Sequence, residues 1–207
     1  MIMHKNPVIT IARQFGSGGH EVGKRVAALL GIRMYDKELI MMAAEKSGYH
    51  PDVLSKADEK AAGSLLYTLA IGSSRFGGIT GNYDMPINDK LFIAQSEIIQ
   101  ELAEKEQCVI IGRCGDYALR HFDNKFSVFI YADEAMRVGR IMESRGISES
   151  EAQTLIAKED KKRAGYYNFY TGKKWGSMER YGASFNTAVL GIEGTAELIA
   201  NIASSKS

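Results

Sequence analysis

Val8-Ile-Thr-Ile-Ala12 leads into Arg13-Gln-Phe-Gly16-Ser17-Gly18-Gly19-His20-Glu21, and then into Val22-Gly-Lys24-Arg-Val-Ala-Ala-Leu-Leu30. A β-branched apolar run, a glycine cluster and an amphipathic stretch read as strand, loop and helix. Glycine lets the backbone turn tightly and bring its N–H groups close to a ligand, and the helix N-terminus adds the positive end of a dipole. A phosphate suits such a place. A tight turn without a ligand is the plainer alternative, and three glycines within four residues weigh against it.

Outward from this stretch, further short apolar runs at 32–35, 108–111, 126–131 and 183–186 read as strands alternating with helical patterns. That alternation predicts βαβ units and a parallel sheet. Gly31 stands where a helix-ending glycine belongs, and Asp36, Asp89 and Asp133 stand at N-cap positions. Residues 89–107 place Leu91, Ile98, Ile99 and Leu102 near one face, and Ser148 with Glu151 has the spacing of a capping box. Two segments break the alternation. About seventy residues separate the second and third strands, far more than a crossover needs, which predicts a helical insert at about 37–88. Residues 158–180 are rich in Lys, Arg and Tyr with little apolar periodicity, and read as a solvated helix and loop or as a lid.

The 207 residues suffice for one core, and 26 basic against 25 acidic side chains leave a net charge of +1. That balance argues against bulk binding of nucleic acid or acidic membranes. No apolar run approaches the ~20 residues that span a bilayer. The first seven residues are short and polar for a signal peptide, so a cytoplasmic setting is expected. Cys108 and Cys114 fit neither a metal set nor a disulfide framework. Cys108 is expected in the core.

The Walker A pattern, G-x-x-x-x-G-K-[ST], uses loop N–H groups and a lysine for phosphates and a hydroxyl for Mg²⁺. Gly18 to Lys24 matches it literally, with Arg25 in the hydroxyl position. That register puts Lys24 ~9 Å along the helix from its start, at 1.5 Å per residue, so Lys24 reads as solvated surface. The register that begins directly after the strand puts Arg13 at the first glycine, Gly18 at the second, Gly19 at the lysine and His20 at the hydroxyl. It keeps Gly16, Ser17, Gly18, Gly19 and His20 as a nucleotide-binding backbone and leaves Arg13 as the nearest replacement cation.

The run from Ile9 to Lys24, then Met34-Tyr35-Asp36-Lys37-Glu38-Leu39-Ile40, Val109-Ile-Ile-Gly112-Arg113, Asp160-Lys-Lys-Arg163-Ala-Gly-Tyr166-Tyr167 and Asn186-Thr187 resemble the cytidylate kinase-like proteins. These are relatives of bacterial cytidylate kinase among the P-loop nucleoside monophosphate kinases. The resemblance covers nearly the whole chain. It implies a three-layer α/β P-loop kinase fold in one domain, 1–207, with a five-stranded parallel sheet, a monophosphate-binding helical insert at about 37–88 and a lid at about 146–180. It implies ATP with Mg²⁺ held through phosphate and water, no protein metal site, and a nucleotide and a small phosphorylated acceptor as partners. Asp36, Arg113 and Asp160 are then substrate-binding, and Arg113, Arg137 and Arg163 serve phosphoryl transfer. The family's arginine one turn after Asp36 is Met42 here, and the aspartate of its Gly-Arg-Asp motif is Cys114.

Each charged residue has a plainer reading. Arg113 could pair with a buried carboxylate; Arg137 and Arg140 could be solvated; Asp160 and Arg163 could form a surface i, i+3 ion pair. Tyr166, Tyr167, Tyr170 and Trp175 could stack on a base or pack on one another. Two other functions stay open. A dinucleotide-binding dehydrogenase is suggested by Gly16-x-Gly18 with Asp36 twenty residues on, although Glu21 stands at the third fingerprint glycine. A nucleotide-binding sensor without turnover is suggested by the missing lysine. The acceptor's identity and the oligomeric state are left open.

Overall fold

The structure is a computed structural model and describes residues 7–36, 38–47 and 87–205. Most of the predicted insert, including the apolar run near 65–71 and the glycine-rich run at 72–82, lies outside the described residues. The elements run β1 (Val8–Arg13), α1 (Gly19–Leu30), β2 (Arg33–Tyr35), α2 (Glu38–Ser47), α3 (Ile87–Lys105), β3 (Cys108–Ile111), α4 (Gly115–Ala118), β4 (Lys125–Tyr131), α5 (Glu134–Arg145), α6 (Glu149–Thr171), a 3₁₀ turn (Met178–Arg180), β5 (Ala183–Asn186) and α7 (Thr187–Ser205).

The five strands form one parallel sheet in the order β2-β3-β1-β4-β5. Parallel strands are covered on both faces, so their side chains are apolar on both. Val8, Ile9 and Ile11 of β1 are accordingly buried, as are Cys108 to Ile111 of β3. α1 and α7 pack on one face with Val22, Val26, Ala196 and Ile199; α2, α3 and α4 pack on the other with Leu39, Leu91, Ile99 and Ala118. Each large aliphatic side chain buried this way contributes about 1.5–3 kcal/mol. α5 and α6 close a smaller cluster around Val138, Ile141, Ala152 and Ile156.

Several local expectations meet their geometry. Gly31 ends α1 in the left-handed region at φ 65°, and Ser148 and Glu151 make the capping box of α6. Others shift. β1 extends through Arg13, because Arg13 pairs with Ile130 in the ladder whatever its side chain. Asp89 lies inside the first turn of α3 rather than at its cap. Asp133 is the N-cap of α5 without a side-chain capping bond, its Oδ1 accepting instead from Asn186 Nδ2 at 3.1 Å. Among the described residues no helix is long and apolar enough to cross a membrane.

β1 lies between β3 and β4, and the chain leaves β1 toward β2 but leaves β4 toward β5. Ligands of open α/β sheets sit where connections diverge in this way, beyond the C-terminal ends of the strands. The glycine loop follows β1 at that point.

Candidate functional site

Gly16 and Gly18 both have φ +77°, a conformation that side chains other than glycine adopt at a cost. Gly18 is the N-cap of α1 and provides no side-chain cap, which leaves the amides of the first turn to be satisfied from outside the helix. Ser17 is buried; its Oγ donates to Gln14 O at 2.9 Å, so only its backbone can serve a ligand. A Cβ at Gly19 would lie 2.5 Å from Arg13 Cβ, and one at Gly112 would meet Arg13 Nη1. Two glycines thus make room for Arg13, whose stem fills space that a lysine at 19 would need.

Helices α5 and α6 hold the loop from the side. Phe15 N donates to Asp160 Oδ1 at 2.7 Å, and Arg137 Nη1 donates to Asp160 Oδ2 at 2.6 Å and to Phe15 O at 3.3 Å. Arg140 Nη1 reaches Thr187 Oγ1 at 3.2 Å and Gly16 O at 3.5 Å, while Thr187 Oγ1 donates to Ser17 O at 2.6 Å. Asp160 therefore pairs with Arg137 on the neighbouring helix. The structure places both against the glycine loop, Asp160 within reach of the Arg163 charge, and neither among the cavity-lining residues that the other predicted site residues join.

Those others meet. A cavity of about 370 Å³ opens beyond the ends of β1 and β3 under α6, lined among others by Arg13, Asp36, Arg113, Asp116, Arg163 and Tyr167. Arg13 Nη2 lies 3.9 Å from Asp36 Oδ1, and His20 Nε2 lies 3.4 Å from Asp36 Oδ2. Arg163 Nη1 donates to Arg13 O at 2.9 Å, and its guanidinium stands 5.4 Å from the Phe15 ring centre. Burial first, then repulsion from Arg163 and Arg113, pushes Arg13 down to about 9 against the pull of Asp36. Burial likewise pushes Arg163 down. Positive charge is crowded here, and a phosphate would relieve the crowding.

Gly112, Arg113 and Cys114 follow β3 at φ 70°, 54° and 51°. Left-handed backbone at two consecutive residues other than glycine costs on the order of 1–3 kcal/mol each and is concentrated at functional sites. The turn brings Arg113 to the cavity and leaves Cys114 5% exposed. Burial pushes the Cys114 thiol far above its usual range and Cys108 up to about 12, so neither is an activated nucleophile. Cys108 is in the core, as expected.

Tyr170 stacks on Phe92 with ring centres 4.2 Å apart, and Trp175 meets Phe129 edge-on at 5.4 Å, which favours mutual packing for those two rings. Lys24 is exposed on α1, and Met42 packs against the α2–α3 core. Sequence reasoning named Thr187 only within the resemblance, with no role, and missed Asp116. Asp116 lies only two residues beyond Cys114, and that nearness was the available signal.

A model of the cytidylate kinase-like family matches residues 8–189. The chain belongs to the cytidylate kinase-like family. Among solved structures, this family member is similar over 96% of its length to an uncharacterized protein from Eubacterium ventriosum, with 28% identity, 99% of that chain covered and a TM-score of 0.69. It is also similar to shikimate kinase from Bacteroides thetaiotaomicron, with 15% identity, 95% and 97% of the two chains covered and a TM-score of 0.53. The fold is therefore that of P-loop kinases. No curated protein matches the chain. The fold also sets aside the dehydrogenase reading, since β1 here pairs with β3 and β4, whereas a dinucleotide-binding sheet places β2 beside β1.

If the site transfers a phosphoryl group from ATP, Arg13→Ala is expected to weaken turnover about 100–1000-fold, the scale of one lost charge-stabilising group. Lys24→Ala should change it little. Steady-state kinetics of the two variants decide; the reverse ranking would restore the literal Walker register.

Proposed function

We propose that the protein transfers the γ-phosphoryl group of ATP to a nucleoside monophosphate, CMP or a close analogue. The observation that carries this reading is the convergence of Arg13, Arg113 and Arg163 with Asp36 on one cavity beside the glycine loop. The backbone of residues 16–20 holds the nucleotide's phosphates, and Arg13 supplies the charge that a lysine at 19 would bring. Asp36 orients the acceptor and Arg113 binds its phosphate. Arg163 neutralises the group in transfer, with residues 146–180 as a lid and 37–88 as the acceptor-binding insert. Arg137 and Asp160 set the loop's shape from α5 and α6.

Such a transfer depends on positioning and charge neutralisation more than on a covalent catalyst. Among the described residues no group of three or more His, Cys, Asp or Glu is placed to hold a metal. In this reading Mg²⁺ would be carried on phosphate oxygens and water, where the ion would supply further charge neutralisation. Glu21 is exposed in the first turn of α1 and complements the helix dipole.

A second reading, a sensor that binds nucleotide without turnover, is favoured by one observation: the lysine position is Gly19, where the present backbone has no room for a side chain. A coupled ADP-release screen over nucleoside monophosphates with ATP and Mg²⁺, run beside calorimetric nucleotide titration, separates the two. ADP release above the ATP-only rate with CMP is expected. Nucleotide binding with no release for any monophosphate would replace the kinase with the sensor.

A further inference from the structure

The roles above leave one cation of the cavity unused. Among the described residues, Arg13, Arg113, Lys162 and Arg163 line it with positive charge, and Asp36, Asp116 and Glu159 line it with carboxyls. Lys162 and Glu159 stand one turn apart on α6, and Lys162 Nζ donates to Glu159 Oε1 at 2.8 Å. Both side chains are partly buried, at 30% and 26% exposure, whereas the preceding Lys161 is exposed. The lysine of the pair thus faces the cavity, and its neighbour faces solvent.

An i, i+3 pair of this kind stabilises a helix only slightly, since water screens both charges. A phosphate monoester is nearly dianionic at neutral pH and brings several strong acceptor oxygens. It therefore attracts an ammonium more than a single carboxylate does, in a cavity where Arg113 and Arg163 favour an anion as well. Glu159 also supports the charge of Arg163, so this one carboxylate serves two neighbouring cations, as a bound anion would. Lysine carries its charge on a flexible stem with rotatable donors. Its ammonium can turn from Glu159 to a ligand oxygen while α6 stays in place.

We propose that Lys162 is a phosphate ligand, exchanged between Glu159 and the phosphate of the acceptor. Resting on the kinase reading above, this adds a second cation to the phosphate assigned to Arg113, because Lys162 lines the same cavity as Arg113 and Asp36. Glu159 is the counter-charge that holds Lys162 in the wall and competes with an entering anion. The exchange has a signature that a plain surface pair lacks: removing the Glu159 charge helps an anion only while Lys162 is there to receive it.

The test titrates inorganic phosphate, CMP and ATP calorimetrically into the wild type, Lys162→Met, Glu159→Gln and the double variant. Lys162→Met keeps an unbranched stem and removes the charge. It is expected to weaken phosphate and CMP about tenfold, the scale of a hydrogen bond to a charged group, and ATP less. Glu159→Gln should tighten phosphate and CMP about threefold in the wild-type background and leave them nearly unchanged beside Lys162→Met. In the ADP-release assay, KM for CMP should rise in Lys162→Met while kcat falls less. Unchanged affinities in Lys162→Met, or an equal gain from Glu159→Gln in both backgrounds, would reduce the pair to a helix-surface contact and end the proposal. A loss confined to ATP would move Lys162 to the donor and overturn its assignment to the acceptor. If phosphate binds with this Lys162 dependence while no monophosphate releases ADP, the kinase reading fails and this one stands. If the wild type binds none of the three, both fail.

Discussion

Arg163→Ala should lower kcat for phosphoryl transfer about 1000-fold or more, the loss typical of removing an arginine that neutralises the group in flight. The geometry makes the residue hard to replace. α6 carries its guanidinium to the end of β1, where it donates to Arg13 O and stands over Phe15. It also contributes to the repulsion that pushes Arg13 down, while Asp160, Glu159 and Asp36 hold its own charge. Arg163→Lys keeps the charge but not the planar fork, and should recover only a small part of the rate. ATP affinity should change far less than kcat, since the loop backbone is untouched. Pre-steady-state and steady-state kinetics on both variants give the split. A kcat unchanged in Arg163→Ala would remove the residue from the reaction.

Gly18→Val should abolish nucleotide binding. At φ +77° a β-branched residue is strained by ~1–2 kcal/mol. Its Cβ would lie 2.8 Å from Arg140 Nη1 and 3.2 Å from Ile192 Cγ1. Arg140 must then give way, and with it the contacts to Gly16 O and Thr187 that shape the loop. The control is Gly31→Ala. Gly31 also has positive φ, 65°, but a Cβ there meets nothing within 4 Å. That variant should lose a few degrees of melting temperature, at roughly 2–4 °C per kcal/mol for a chain of this size, and keep its affinity. Calorimetry and thermal denaturation read both effects. Normal affinity in Gly18→Val would sink the loop assignment.

The strands were legible because a parallel sheet buries both faces, which makes its strands short, mostly apolar runs such as Val8 to Ala12 or Val109 to Ile111. Their ends were less so. Arg13 and Lys125 belong to the ladder through backbone pairing that side-chain polarity conceals. In the site, Arg13, Asp36, Arg113 and Arg163 could be found because each follows a strand or stands in a spaced motif. The partnership of Arg137 with Asp160 could not, since it links two helices, and spacing within one helix pointed to Arg163 instead. Asp116 escaped because the motif directs attention to position 114. The left-handed turn at Arg113 and Cys114 leaves that side chain nearly buried, and Asp116, two residues on, lines the cavity beside it.

Thr187 is joined to Ser17 across 170 residues, and Val8 pairs with both Cys108 and Lys125. The middle strand of the sheet is made first and waits for partners synthesised much later. Contacts so distant in sequence slow folding, because loops must close before any pairing rewards them. The glycine loop takes its final shape only once the start of α7 has docked beneath it. A nucleotide that recognises the finished loop would draw the folding equilibrium toward it by mass action.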